Sequence, residues 1–256
     1  MLIDTAPETP LEEFFTDVAL DFWRACVPEE TTTAEVDFAE RALDLTLPSR
    51  VLDTPCGTGR HALALAARGH RVLGVDLAGQ YVRKARDEAS GRRLSGAAEF
   101  MQMDLRDLSV ATPFDAAICL GNSFGYLDEE GDRATLRALA GALRPGGRLL
   151  LETGAAAECV LPGPRSRTWH EAGGILMLVE SRHDVLAGRL RNRYRFLRDG
   201  AWTSRCLSQS VYTAAEIGRM MEAAGLRVRR LAGSVDGRPF DGGPRLYVVA
   251  ERVRTP

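Results

Sequence analysis

Val51 to Asp76 read VLDTPCGTGRHALALAARGHRVLGVD. Arg50 to Asp53 form a short apolar run of the kind found in a fully buried strand. A loop with glycines at 57 and 59 follows, then a helical stretch from Arg60 to Arg68 closed by Gly69, a residue suited to a left-handed cap. Arg71 to Asp76 form a second apolar strand. Glycines in such a loop let backbone approach a ligand, and the helix that follows adds a partial positive charge. An acid ending the second strand is placed to accept hydrogen bonds from ribose hydroxyls. The segment is therefore a strand–loop–helix–strand unit with a nucleoside site at the carboxyl ends of parallel strands.

The rhythm continues outward. Ala98 to Met103 and Phe114 to Leu120 read as third and fourth strands. Leu136, Leu139, Ala140 and Leu143 recur at helical spacing. That helix ends at Pro145-Gly146-Gly147, and Arg148 to Glu152 read as a fifth strand. Strands alternating with helices specify a mostly parallel sheet covered on both faces. Upstream, Leu11 to Val27 read as one helix with an aromatic stripe (Phe14, Phe15, Phe22, Trp23), and Ala34 to Leu45 as a second. Downstream, residues 174–184, 189–198 and 202–212 read as closely spaced antiparallel strands. Thr213 and Glu216 open a further helix as a capping box. Arg227 to Ala232 and Arg245 to Ala250 read as two last strands.

The expected organisation is one domain over 1–256. It comprises an N-terminal helical lid (1–47), a cofactor-binding core (48–154), an antiparallel β insertion (165–212) and a C-terminal helix with two strands (213–256).

Composition narrows the function. The formal net charge of −2 gives no nucleic-acid or membrane signature, and Lys84 is the only lysine. Cys26, Cys56, Cys119, Cys159 and Cys206 are scattered without paired spacing, so neither a disulfide framework nor a metal site is expected. The opening MLIDTAPETP lacks a secretory pattern, and no apolar run approaches the roughly 20 residues that span a bilayer. A cytoplasmic protein is expected.

Gly57-Thr58-Gly59-Arg60-His61-Ala62 fits two patterns. As G-x-G-x-x-A with an acid about 20 residues on, it matches the dinucleotide fingerprint, so an NAD-dependent oxidoreductase is one reading. Asp53 speaks against it, because a carboxylate beside a pyrophosphate site repels it. A cofactor with a cationic amino group and a sulfonium suits that acid better.

Over residues 11–253 the chain resembles class I S-adenosylmethionine-dependent methyltransferases, with the D-x-x-C-G-x-G-R-H first loop of a small-molecule branch. The resemblance implies a seven-stranded Rossmann-like α/β sheet. It implies that Asp53, Cys56, Gly57, Thr58 and Gly59 hold the methionine part of S-adenosylmethionine. It assigns the ribose to Asp76, adenine packing to Leu77, Met103, Asp104 and Leu105, and the neighbourhood of the methyl group to Leu120 and Gly121. Trp23 of the lid joins these cofactor contacts.

The implied reaction is in-line methyl transfer to N or O of a small-molecule metabolite or natural-product intermediate, driven mainly by proximity and desolvation. Substrate contacts are expected from Phe15, Asn122, Tyr126, Trp169, Arg193 and Tyr194. Tyr126, His170 and His183 are candidates for positioning or deprotonating the nucleophile. A homodimer is compatible with the insertion, and a non-catalytic protein that retains the fold stands as a further alternative.

Overall fold

The computed structural model describes residues 7–109, 112–162 and 166–253. Its centre is a seven-stranded sheet. Strands β1 (Arg50–Asp53), β2 (Arg71–Asp76), β3 (Ala98–Gln102), β4 (Phe114–Cys119) and β5 (Leu143–Thr153) are followed much later by β10 (Leu226–Ala232) and β11 (Leu246–Arg252). The order across the sheet is β10-β11-β5-β4-β1-β2-β3. All pairs are parallel except β11 with β5 and β10 with β11.

Period-2 alternation divides the strand side chains between two cores. Val51, Val72, Ile118 and Val249 pack with helices α3 (Glu29–Ala42), α4 (Arg60–Ala67) and α5 (Gly79–Gly91). Their neighbours Leu52, Ala117, Leu151 and Val248 pack with α6 (Glu129–Ala142) and α8 (Ala214–Ala223). Because strand order reverses between β1 and β4, their carboxyl ends diverge and leave a crevice, where ligands bind in open α/β sheets.

A short helix, α7 (Ala157–Val160), follows β5. A second, antiparallel sheet then forms from β6 (Arg167–Ala172), β7 (Ile175–Asp184), β8 (Arg189–Arg198) and β9 (Ala201–Ser210) in sequential order. Its inner face (Met177, Val179, Tyr194, Phe196, Leu207) packs on Phe14, Val18 and Phe22 of the N-terminal helices as a third core.

Four elements depart from the sequence reading. The single helix over Leu11–Val27 is two, α1 (Leu11–Phe14) and α2 (Asp17–Ala25). Thr16 is extended, its hydroxyl donates to the Glu13 carbonyl at 2.8 Å, and Asp17 takes φ +49°. This local bond competes with the helix ladder. The second helix begins at Glu29, not Ala34, because Pro28 and two acids make a favourable first turn ahead of three threonines.

Strand β6 was not expected. It pairs with β7 through Gly173-Gly174, both with positive φ, the Gly-Gly signal of a two-residue hairpin. Strand β5 begins at Leu143 and absorbs Pro145-Gly146-Gly147, at a register shift against β4. No helix among the described residues is long and apolar enough to cross a membrane.

Candidate active site

The crevice opens into a cavity of about 390 Å3 bounded below by the ends of the sheet and above by α1, α2 and the antiparallel sheet. The loop after β1 is stitched to its neighbours. The Thr54 N–H donates to the Ile118 carbonyl at 3.0 Å, and that of Cys56 to Val75 at 2.9 Å. Asp76 fixes the turn from the other side, accepting from the N–H groups of Gly57 and Ala78, both at 2.8 Å.

The two loop glycines do different work. Gly57 lines the cavity, where an added Cβ would meet nothing closer than 3.7 Å. Gly59 lies outside the wall. It caps α4 at φ +80°, and a Cβ there would stand 2.7 Å from the Phe100 ring.

Asp53 also lies beneath the wall rather than in it. It is wholly buried; one oxygen accepts from the Ala62 N–H at 3.1 Å, and the other has no partner among the described residues. Burial pushes Asp53 up to about 7, with Arg60 and the Ala62 N–H opposing and Asp76 adding to the rise. Burial likewise raises Asp76 to about 6 against the hydrogen bonds it accepts. A second orphan, the buried indole N–H of Trp23, belongs to a side chain in the cavity wall. A buried acid with a free oxygen below the loop and an unused donor above it suit a ligand with both ammonium and carboxylate. The residues therefore fit S-adenosylmethionine.

Cys56, Thr58, Leu77, Met103, Asp104, Leu105, Leu120 and Gly121 also reach the wall. The Asp104 carboxylate is already engaged by Arg106, whose backbone and guanidinium both donate to it. Cys56 is buried and its thiol raised well above the ordinary range, chiefly by desolvation, so it is a packing residue there.

Of the expected substrate contacts, Phe15, Asn122, Tyr126 and Tyr194 line the cavity. Asn122 spends its side chain on the fold. Its side-chain oxygen accepts from the Gly154 N–H at 2.7 Å, and its backbone N–H donates to Glu152, which also holds Arg245. Trp169, Arg193, His170 and His183 do not reach the wall. Trp169 and Arg193 project from the outer face of the antiparallel sheet, away from Tyr194. His170 is exposed on the edge strand β6, and His183 lies near the end of β7. For Trp169 and Arg193 strand alternation is the reason, since a one-residue step changes the face; His170 and His183 share the register of the inner-face Met177 and miss the cavity because they lie on the edge strand and near the strand end.

The structure adds residues that were not among the expected cofactor and substrate contacts. Tyr81, in the first turn of α5, faces the cavity across from Phe15. Arg60 and His61, at the start of α4, are both held by Glu35 of α3, His61 at 2.9 Å; Arg60 also donates to Thr32. Burial opposes the Glu35 charge, but the bonds from His61 and Arg60 outweigh it and bring Glu35 to about 2. Burial lowers His61 despite that bond.

A methyltransferase-domain family profile matches residues 51–147. The cypemycin N-terminal methyltransferase of a Streptomyces species is 33% identical over 208 residues, covering 79% of this chain and 82% of that protein. The chain belongs to the class I S-adenosylmethionine-dependent methyltransferases. The rat (Rattus norvegicus) glycine N-methyltransferase is 37% identical over 116 residues, 40% of this methyltransferase and 39% of the rat protein. Among solved structures, the CcbJ methyltransferase of Streptomyces caelestis superposes with a TM-score of 0.77 at 19% identity, covering 92% of this chain and 96% of that one. The S-adenosylmethionine-bound CalS10 of Micromonospora echinaspora gives 0.69 at 22% identity, covering 97% and 100%. These two matches extend the fold likeness to the antiparallel sheet and the N-terminal helices. The enzyme thus uses S-adenosylmethionine, and the dinucleotide reading of G-x-G-x-x-A is set aside.

Proposed function

We propose that this methyltransferase methylates a nitrogen of a small-molecule metabolite or natural-product intermediate. The observation that carries the reading is the state of the acids and bases along the wall. Asp76 is held by two backbone N–H groups, Asp104 by Arg106, Asp132 by the Tyr212 hydroxyl at 2.9 Å, and His61 by Glu35. Tyr126, a sequence candidate for the base, is pushed up to about 12 by burial, which keeps its proton in place. An alcohol must lose its proton as it reacts, whereas an amine that binds neutral need not. Two of the similar proteins carry N-methyl or N-terminal methyl transfer in their names.

S-adenosylmethionine would be held by Gly57, Asp76, Leu77, Met103, Leu105 and Trp23, with Asp53 beneath the loop. When bound it supplies an electrophilic methyl carbon on a sulfonium. The lid aromatics exclude water, and the wall fixes the acceptor in line, the two effects that lower such a barrier most.

The acceptor test is a panel of primary amines, each paired with the alcohol of the same skeleton, with products identified by mass spectrometry. N-methyl products support the reading, and O-methylation of the alcohols overturns it. Titration with S-adenosylhomocysteine, with NAD as control, tests the cofactor site. Asp76→Ala should weaken binding at least tenfold, and unchanged affinity would sink the assignment.

We assign no nucleic-acid or membrane partner. A cytoplasmic setting is supported by the free cysteines among the described residues. A homodimer would cover the outward Trp169, 67% exposed, and Trp202, 52% exposed; light scattering decides it.

A further inference from the structure

Three tyrosines in the cavity wall have hydroxyls with no hydrogen bond to any described residue. They come from three distant stretches of chain: Tyr81 from α5, Tyr126 from the loop after β4, and Tyr194 from β8. Phe15 ties two of them together, its ring centroid 5.8 Å from that of Tyr81 and 6.1 Å from that of Tyr126. Phe14 meets Phe15 at 4.8 Å and Tyr194 at 5.0 Å. A charge on Tyr126 would oppose ionisation of both Tyr81 and Tyr194, so the three phenols share one space. With no partner in the fold, each hydroxyl keeps a donor and an acceptor for whatever occupies the cavity they line.

We infer that Tyr81, Tyr126 and Tyr194, backed by the rings of Phe14 and Phe15, form the seat of the accepting nitrogen, and that the seat takes a primary or secondary aliphatic amine. The inference rests on the N-methylation reading and deepens it. A phenol oxygen accepts an N–H bond, and an aromatic face attracts a cation. Both interactions strengthen as the nitrogen becomes positive, so the seat favours the transition state over the bound amine.

The step balances without a base. The nitrogen lone pair forms the bond to the methyl carbon, and the electron pair of the breaking carbon–sulfur bond stays on sulfur. The methylated nitrogen leaves as an ammonium and loses its surplus proton to solvent. An alcohol placed there would have to form a protonated ether oxygen, a far stronger acid than an ammonium, and neutral phenols do not supply the base that relieves it.

The test uses the amines turned over in the acceptor panel. Tyr126→Phe with Tyr194→Phe should lower kcat/KM for the amine by 10- to 100-fold, while S-adenosylhomocysteine affinity changes by less than twofold. Wild-type kcat/KM in the double variant overturns the seat and leaves N-methylation standing. An equal loss of S-adenosylhomocysteine affinity also overturns it, because the tyrosines would then belong to the cofactor. O-methylation of the alcohols would sink the parent reading instead. If no panel member reacts, dimethylammonium chloride is titrated into the S-adenosylhomocysteine-loaded enzyme. Saturable binding that the triple Tyr→Phe variant loses supports the seat; absence of binding, or binding retained in that variant, overturns it.

Discussion

Asp53 is the residue whose sequence and structure accounts diverge most usefully. Its place at the end of β1 was legible, as was the need for a cationic neighbour. Its depth was not, because a strand-end acid reads the same whether it faces a cavity or lies under the loop. Depth changes the energetics. The group is raised from the ordinary carboxylate range to about 7, mainly by burial. A raised folded pKa contributes stability that is present below about pH 4 and lost as pH rises through about 7. The cofactor-free protein should therefore lose stability between about pH 4 and pH 7, by no more than about 4 kcal/mol from this group. Asp53→Asn should flatten that decline and weaken S-adenosylmethionine binding. Urea unfolding at four pH values checks it; a variant as steep as the wild type would mean that the carboxylate is solvated.

Elements with strong local signals, such as α4 and β4, were read within a residue or two. Those set by short-range chemistry were not. Thr16 breaks the first helix through a single hydroxyl bond, and that break turns Phe14 to the antiparallel sheet and Phe15 to the cavity. The attachment of α3 was invisible for a different reason: it depends on a contact between residues 25 and 26 positions apart. Glu35 reaches Arg60 and His61 in the first turn after the cofactor loop, joining the lid to the loop through a largely buried cluster. Removing one partner of a buried pair costs more than the pair contributes, because the remaining charge stays desolvated. Glu35→Ala should cost about 2–4 kcal/mol of stability and weaken S-adenosylhomocysteine binding 5- to 20-fold, with Glu35→Gln intermediate on both measures. Calorimetry and denaturant unfolding on the three proteins test this; unchanged affinity in Glu35→Ala would leave α3 as packing alone.

At the scale of the molecule, the cavity lies between bodies with separate cores. The seven-stranded sheet has its two cores on its two faces, while the antiparallel sheet shares a third with α1, α2 and Tyr126 of the loop after β4. The α/β core was legible because its motifs lie close together in sequence. The joint around the cavity was not, because it pairs residues near 14 and 22 with residues near 177 and 196. Phe22 is fully buried and stacks edge-on with Phe196 at 5.9 Å. Truncating it removes a large part of the core on which the antiparallel sheet rests, and Phe→Ala at such sites costs about 3–5 kcal/mol. That loss should be local, since cooperative units open with their own free energies. In Phe22→Ala, amide exchange should accelerate by at least tenfold across β7 and β8, while β1 and β4 keep their protection. Methyl transfer should fall with it, because the roof of the cavity rests on the same sheet. Uniform acceleration across all strands would instead show that the roof and the α/β core unfold as one unit, and that the cavity is the inside of a single body.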